Sequence, residues 1–249
     1  MNLLLKKSFI LFNCWIAFGP LACFSVFGQS RYEILTTADG LSQGMVFALL
    51  QDREGFIWMA TKDGLNRYDG YEFKVFTNDP YNNQSLSSNT ITRLFEDSKG
   101  RIWAGAENAG LNIYDKKKGA FYRIENSTTN SKSISGNNIS AIVELPDGRM
   151  LIATDVKGLD IIELPDEYFS STELPLITRL NLPGNIQVYG MGKDKNKRIF
   201  IGGMDGSVYT FDDKKLSFVV VPNGKLYNNG YMNKDSSVVI NNIFIWISL

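Results

Sequence analysis

Residues 51–70 read QDREGFIWMATKDGLNRYDG, and residues 96–115 read EDSKGRIWAGAENAGLNIYD. Both lines follow one plan: an acid, a glycine turn, an apolar pair ending in tryptophan, then Gly-Leu-Asn and Tyr-Asp. Such a repeat is either a doubled active site or the unit of a repeating architecture, and further copies decide between them. With Trp58 as anchor, Trp103 lies 45 residues on. A degenerate third copy, Asp147 to Thr154, puts Leu151 at the anchor 48 residues further along, and a fourth, Asn196 to Gly203, puts Phe200 there after another 49. Ile243 to Ser248 opens a fifth, with Trp246 46 residues beyond Phe200. Near-even spacing over most of the chain points to a structural unit that stacks on its neighbours.

Within one unit the texture is that of short strands. Val46 to Leu50 is an apolar run, and Asp52-Arg53-Glu54-Gly55 is a turn in which glycine is free to take positive φ. Phe56 to Thr61 is a second strand, Lys62-Asp63-Gly64 a second turn, and Leu65 to Tyr68 a third strand. Asp69-Gly70 is a hairpin signal. Tyr71 to Phe76 then alternates apolar with polar residues at the period of a half-exposed strand. Connections rich in Gly, Ser and Asn follow, at 78–88 and 126–138. Four antiparallel strands repeated every 40–50 residues or so predict an all-β fold, a β-propeller of four-stranded blades. The expected blades are 41–76, 86–124, 134–182 and 183–221, with the start of a fifth over 222–249. Tyr32 to Thr36 reads as a further strand with no preceding three, the segment that would complete a last blade. About four blades, an incomplete fifth and one orphan strand describe a truncated ring. The alternative is a closed five-bladed ring with an abbreviated last blade.

The start of the chain differs from the rest. Lys6-Lys7 precede an apolar run from Phe9 to Phe27, and small Gly28 sits before Gln29. A basic start, an apolar middle and a small-residue exit predict a cleaved secretory leader over 1–28 and an exported chain over 29–249, periplasmic or secreted. An uncleaved anchor is disfavoured by Asn13, Gly19 and Pro20, and a lipoprotein signal ending at Cys23 by Pro20. Both cysteines, Cys14 and Cys23, lie in this leader, and the chain has no histidine. Thiolate chemistry and cysteine metal sites in the exported part are thereby excluded, and so are Ser-His and Cys-His dyads and a phospho-accepting histidine. A formal net charge of zero argues against a nucleic-acid partner.

Several residues invite a sharper reading. Trp58 and Trp103 could stack on a sugar, but a tryptophan repeated at one strand position is the mark of blade packing. Asp52 and Asp97 could ligate calcium, but one acid per blade, three residues before glycine, is the mark of a turn cap. No local pattern nominates a pair of catalytic carboxylates. The expectation is therefore no catalytic residue, no metal and no cofactor. The connections 78–89 and 126–138 differ between copies more than the strands do, and in propellers such loops line a ligand-binding face. Tyr81, Asn82, Asn83 and Gln84 are the candidate ligand platform.

The units Leu41-Ser42-x-x-x-Val46, Gln51-Asp52-Arg53-Glu54-Gly55-Phe56-Ile57-Trp58-Met59-Ala60-Thr61 and Gly64-Leu65-Asn66-Arg67-Tyr68-Asp69-Gly70 resemble the two-component regulator propeller repeat, as does Leu86 to Asp115. The resemblance covers most of residues 31–211. It implies the periplasmic sensor region of a bacterial hybrid two-component system: two seven-bladed propellers, a β-sandwich, a membrane helix and a histidine kinase. It also implies an oligosaccharide ligand and a parent sensor that is membrane-anchored and dimeric. This chain has fewer blades, no second membrane span and no kinase. A secreted carbohydrate-active propeller enzyme and a protein–protein interaction propeller are the alternative functions.

Overall fold

Turn chemistry sets the strand boundaries. Asp52 Oδ1 accepts hydrogen bonds from the backbone N–H groups of Glu54 and Phe56, both at 3.0 Å. Asp97 Oδ1 does the same for Lys99 and Arg101 at 3.0 and 2.9 Å. Each aspartate thus closes a tight turn and sends the chain back antiparallel to the strand it came from.

The computed structural model describes residues 33–130, 132–156, 158–165, 168, 174–182 and 186–212, and beyond these the strand backbones at 217–220, 225–227, 237–240 and 243–246. The leader expected over 1–28 lies outside the described residues. The chain divides into two units, residues 1–34 and residues 35–249; all the described strands belong to the second.

Strands β1 (Val46–Gln51), β2 (Ile57–Thr61), β3 (Gly64–Tyr68) and β4 (Phe73–Phe76) form one antiparallel sheet in sequence order. The same order recurs in β5 (Ile91–Glu96), β6 (Ile102–Ala106), β7 (Gly110–Asp115) and β8 (Ala120–Ile124). It recurs again in β9 (Ile139–Glu144), β10 (Met150–Thr154), β11 (Leu159–Glu163) and β12 (Leu176–Leu180), and in β13 (Val188–Lys193), β14 (Ile199–Gly203), β15 (Val208–Asp212) and β16 (Ser217–Val220). The first strands of successive sheets, β1, β5, β9 and β13, stand side by side. The sheets are therefore propeller blades ranged about one axis, each burying a face against the next. A last sheet has three strands, β17 (Lys225–Tyr227), β18 (Ser237–Ile240) and β19 (Ile243–Trp246), in the order β17-β19-β18. Its β18 lies beside β13, in the innermost place. The strand beyond β19 comes from earlier in the chain, where the other blades use a later segment.

The strand expected from Tyr32 to Thr36 is corrected: the described residues 33–36 form none. Thr36 instead caps a single 3₁₀ turn, Thr37–Asp39. Its hydroxyl accepts from the Ala38 N–H at 3.2 Å, and the Asp39 carboxylate accepts from the Thr36 N–H at 2.8 Å. A Thr-x-x-Asp capping box satisfies these donors locally, which outweighs the β preference of the residues before it.

The anchors fill the seams between blades. Trp58 is fully buried, stacks on Phe76 at 5.7 Å and tilts against Tyr114 of the second blade at 5.4 Å. Trp103 packs with Ile113, Ile142 and Ile152 in the next seam, and Leu151 with Leu145, Met191 and Ile201 in the one after. Each tryptophan also makes a polar bond: Trp58 Nε1 donates to Asp52 Oδ2, and Trp103 Nε1 to Asp97 Oδ2, both at 2.8 Å. The third blade has leucine at both places, Leu145 and Leu151. Acid and indole are lost together, so neither is left buried without its partner.

A second buried bond ties each of the first three blades to the loop that enters it. Asn66 Oδ1 accepts from the Ser42 N–H at 2.9 Å, Asn112 Oδ1 from the Ser87 N–H at 2.8 Å, and Asp160 Oδ2 from the Ser135 N–H at 2.6 Å. All three side chains are fully buried. The glycine before each Leu-Asn is needed because β3 and β7 begin against a carbonyl of the blade's last strand. At Gly64, φ is +115° and an added Cβ would stand 2.5 Å from the Phe76 carbonyl oxygen; Gly110 meets Ile124 in the same way. Replacing Asn112 by leucine keeps the volume and strands the Ser87 N–H. We expect a loss of about 1–3 kcal/mol, read as a shifted urea midpoint at unchanged slope.

Candidate functional site

The loop proposed from sequence, 78–89, is built by its own side chains. Asn78 donates through Nδ2 to the Leu86 carbonyl at 2.5 Å, and its N–H donates to Asn89 Oδ1 at 2.6 Å. Ser85 Oγ accepts from the Asp79 N–H at 2.8 Å. The second loop repeats each bond: Asn126 Nδ2 to the Ile134 carbonyl, the Asn126 N–H to Asn137 Oδ1, and the Ser127 N–H to Ser133 Oγ. The expectation that these loops vary while the strands repeat is therefore corrected. Their tips differ, but their frame is one scaffold, because the same Asn and Ser positions hold it.

The four candidates are placed accordingly. Asn82 Oδ1 accepts from the Gln84 N–H at 2.9 Å, and its carbonyl accepts from the Ser85 N–H at 3.1 Å and from Arg123 Nη2 at 2.9 Å. The Gln84 carbonyl accepts from the Phe121 N–H at 2.8 Å. Asn82 and Gln84 thus dock the loop onto β8. Tyr81 is 99% exposed, and Asn83 lies between it and Gln84 on the same exposed tip. A cavity of about 570 Å³ lies beside the second loop, lined by Tyr122, Arg123, Asn130, Lys132 and Leu176. The four candidates do not line it.

On the opposite end of the blades, where the aspartate turns lie, the seams are closed by charge and by aromatic packing. Lys116 Nζ lies 2.8 Å from Asp52, 3.2 Å from Glu54 and 3.3 Å from Glu96. Burial disfavours the Asp52 carboxylate, but its hydrogen bonds from Lys116 and Trp58 outweigh that and hold its pKa below the ordinary value. Burial likewise opposes the Lys116 ammonium, and its three carboxylate partners push its pKa up. At the next seam Tyr168 takes this place. Arg101 lies over its ring at 5.4 Å, and it meets Tyr122 edge-on at 5.4 Å. Arg101 is in turn held by Asp97 at 2.5 Å.

The blades depart most from one another at the axis. Pairing slips by one residue in the innermost strand of all four complete blades, leaving Phe47, Thr92, Ser140 and Tyr189 as the bulged residues. Each stands eleven positions before its blade's anchor. A bulge re-aims a side chain out of the sheet, so one backbone device presents four different groups. Sequence reading missed this site. The available signal was a position in register with the repeat whose residue type does not repeat.

Fold and geometry define a class: a repeat protein of four-stranded blades that presents unlike groups along a shared axis. Within these blades, the family model of the two-component regulator propeller matches residues 40–63 and 85–108. A stretch of 56 residues, 22% of this chain, is 43% identical to part of Histidine kinase P4 of Formosa agariphila, covering 4% of that protein. The extracellular domain of a hybrid two-component system of B. thetaiotaomicron superposes with a TM-score of 0.53 at 20% identity, over 79% of this chain and 32% of that one. An inactive virginiamycin B lyase of Staphylococcus aureus superposes with a TM-score of 0.57 at 10% identity, over 83% of this chain and 66% of that one. At these identities the likeness shows the fold alone, and the fold serves a sensor and an enzyme equally. The chain spans less than a third of the length of that extracellular domain.

Proposed function

We propose that this chain is an extracytoplasmic, ligand-sensing propeller segment of a two-component sensor, without kinase or catalytic parts of its own. The observation that carries the reading is the pair of regulator propeller repeats at 40–63 and 85–108, supported by the stretch 43% identical to a histidine kinase. Residues 1–28 would direct export. With no histidine in the chain, phosphotransfer belongs to another part of the parent sensor, which would be membrane-anchored and dimeric. An oligosaccharide is the proposed ligand class, met at the loop tips around Tyr81. Titration of the folded chain with a panel of oligosaccharides tests this by calorimetry. Saturable heat with one glycan and no change in that glycan is expected. Silence across the panel from a protein with a cooperative melt overturns the ligand, and turnover of a glycan overturns the non-catalytic reading.

A further inference from the structure

Arg93 follows the bulged Thr92 on β5 and reaches across the seam to the third blade. Its Nε donates to the Ser140 carbonyl at 2.7 Å and its Nη1 to the Thr92 carbonyl at 2.9 Å. Both acceptors are neutral backbone groups. Arg101, Arg149, Arg179 and Arg198 each hold a carboxylate; among the described residues no carboxylate pairs with Arg93, and its Nη2 has no protein acceptor. The corresponding residues of the other three complete blades are Ala48, Ala141 and Gly190, so among the described residues this position carries a cation once. Burial pushes its pKa down, as expected for a cation partly stripped of water without a counter-charge.

Three further features converge on the same spot. The Ser140 hydroxyl is buried and has no hydrogen-bond partner, although most buried polar groups have one. It belongs to the residue whose carbonyl steadies Arg93. Tyr189, at the matching bulge of β13 beside β9, is 43% exposed, an unusual exposure for an aromatic side chain on an inner strand. The arginine stem is also accommodated by design of the sheet: a Cβ on Gly105 would stand 3.2 Å from the Arg93 Cβ and 2.8 Å from that of Ile139. Arg93 is thus braced with part of its donor fork free, beside an unsatisfied hydroxyl and an open aromatic face.

We propose that the axial cluster of Arg93, Ser140 and Tyr189 is a binding site for a small carboxylate anion carrying a ring or apolar body. The free guanidinium donors take the carboxylate, the Ser140 hydroxyl turns about its Cα–Cβ bond to add a donor, and the body of the ligand lies on Tyr189. The inference goes beyond the sensor reading and is separable from it. Oligosaccharide binding without carboxylate binding removes this site and leaves the sensor.

The probe is sodium benzoate, titrated into the full chain at low ionic strength, with neutral benzamide as the isosteric control. Benzoate is expected to bind, and benzamide to bind more weakly by about tenfold or more, the worth of a charge-assisted hydrogen bond. Arg93→Met should lose benzoate binding by a similar factor. Ser140→Ala should weaken it several-fold while leaving the thermal melt unchanged, because the hydroxyl it removes bonds to nothing in the fold. Equal affinity for benzoate and benzamide, absence of benzoate binding, or undiminished binding in Ser140→Ala each overturns the proposal. Should Arg93→Met fail to fold through loss of the seam contact, the Ser140→Ala titration and the benzamide comparison still decide.

Discussion

Replacing Asp97 by leucine is expected to cost about 3–5 kcal/mol, a large part of the stability of a domain of this size. The carboxylate accepts from the Lys99 and Arg101 N–H groups at 3.0 and 2.9 Å, from the Trp103 indole at 2.8 Å and from the Arg101 guanidinium at 2.5 Å. It is fully buried, so leucine strands the buried Trp103 indole N–H and leaves the part-buried Lys99 and Arg101 donors without their acceptor, a buried unpaired group costing about 1–3 kcal/mol. Trp103→Leu on its own leaves a cavity and an aspartate without its indole, at about 3–5 kcal/mol. The double variant should cost less than the sum by about 0.5–3 kcal/mol, because the pair Leu145 and Leu151 already fills the third blade with both residues at or below 1% exposure. Urea unfolding of the four proteins in the cycle measures the coupling. Additive losses would show that the indole bond is incidental to the packing.

That pair also marks how far the sequence could be read. Strand positions were legible because the signals that end a strand are local: the expected strands Val46 to Leu50 and Leu65 to Tyr68 agree with β1 (Val46–Gln51) and β3 (Gly64–Tyr68) to within a residue. The turn-capping role of Asp52 and Asp97 was legible for the same reason. Their second role, holding the anchor indole, crosses the turn and leaves no periodic trace. It could have been inferred only from the joint disappearance of Asp and Trp in the third copy. The loop scaffold was missed because its composition suggested variety. Aligned on Asn78 and Asn126, the loops keep Asn82 with Asn130, Ser85 with Ser133 and Asn89 with Asn137, and those are the residues that make the bonds. The false strand before Thr36 came from weighing side-chain type over the Thr-x-x-Asp cap. The axial bulges were out of reach for a deeper reason. A bulge is a property of the pairing between two strands, and alternation along one strand does not record it.

Lys116→Met is expected to have the other large effect, about 3–5 kcal/mol at neutral pH, because it removes one member of a buried ion cluster and leaves the rest. The lysine side chain is 17% exposed, that of Asp52 not at all and that of Glu96 8%, so solvent offers these carboxylates little in exchange. Lys116 comes from the second blade and Asp52 and Glu54 from the first, and the loss would fall on the seam between them. The sign of the pH dependence follows from the two shifts. Asp52 is depressed from 3.8, so its contribution is in place above 3.8 and is lost as pH falls through the folded-state value. Lys116 is raised from 10.5, so its contribution is in place below 10.5 and is lost as pH rises through its folded-state value. The wild-type cluster therefore contributes fully across the neutral range. Without the cation, burial is left to favour protonation of Asp52 in the folded state. The deficit of Lys116→Met should then shrink as pH falls from 7 toward 4 or so, the reverse of the acid-induced loss expected for wild type. Thermal melts of both proteins across that range provide the check. A constant deficit would mean that Lys116 acts through its aliphatic stem, and an absent one that the seam is held by Trp58 and its aromatic neighbours alone.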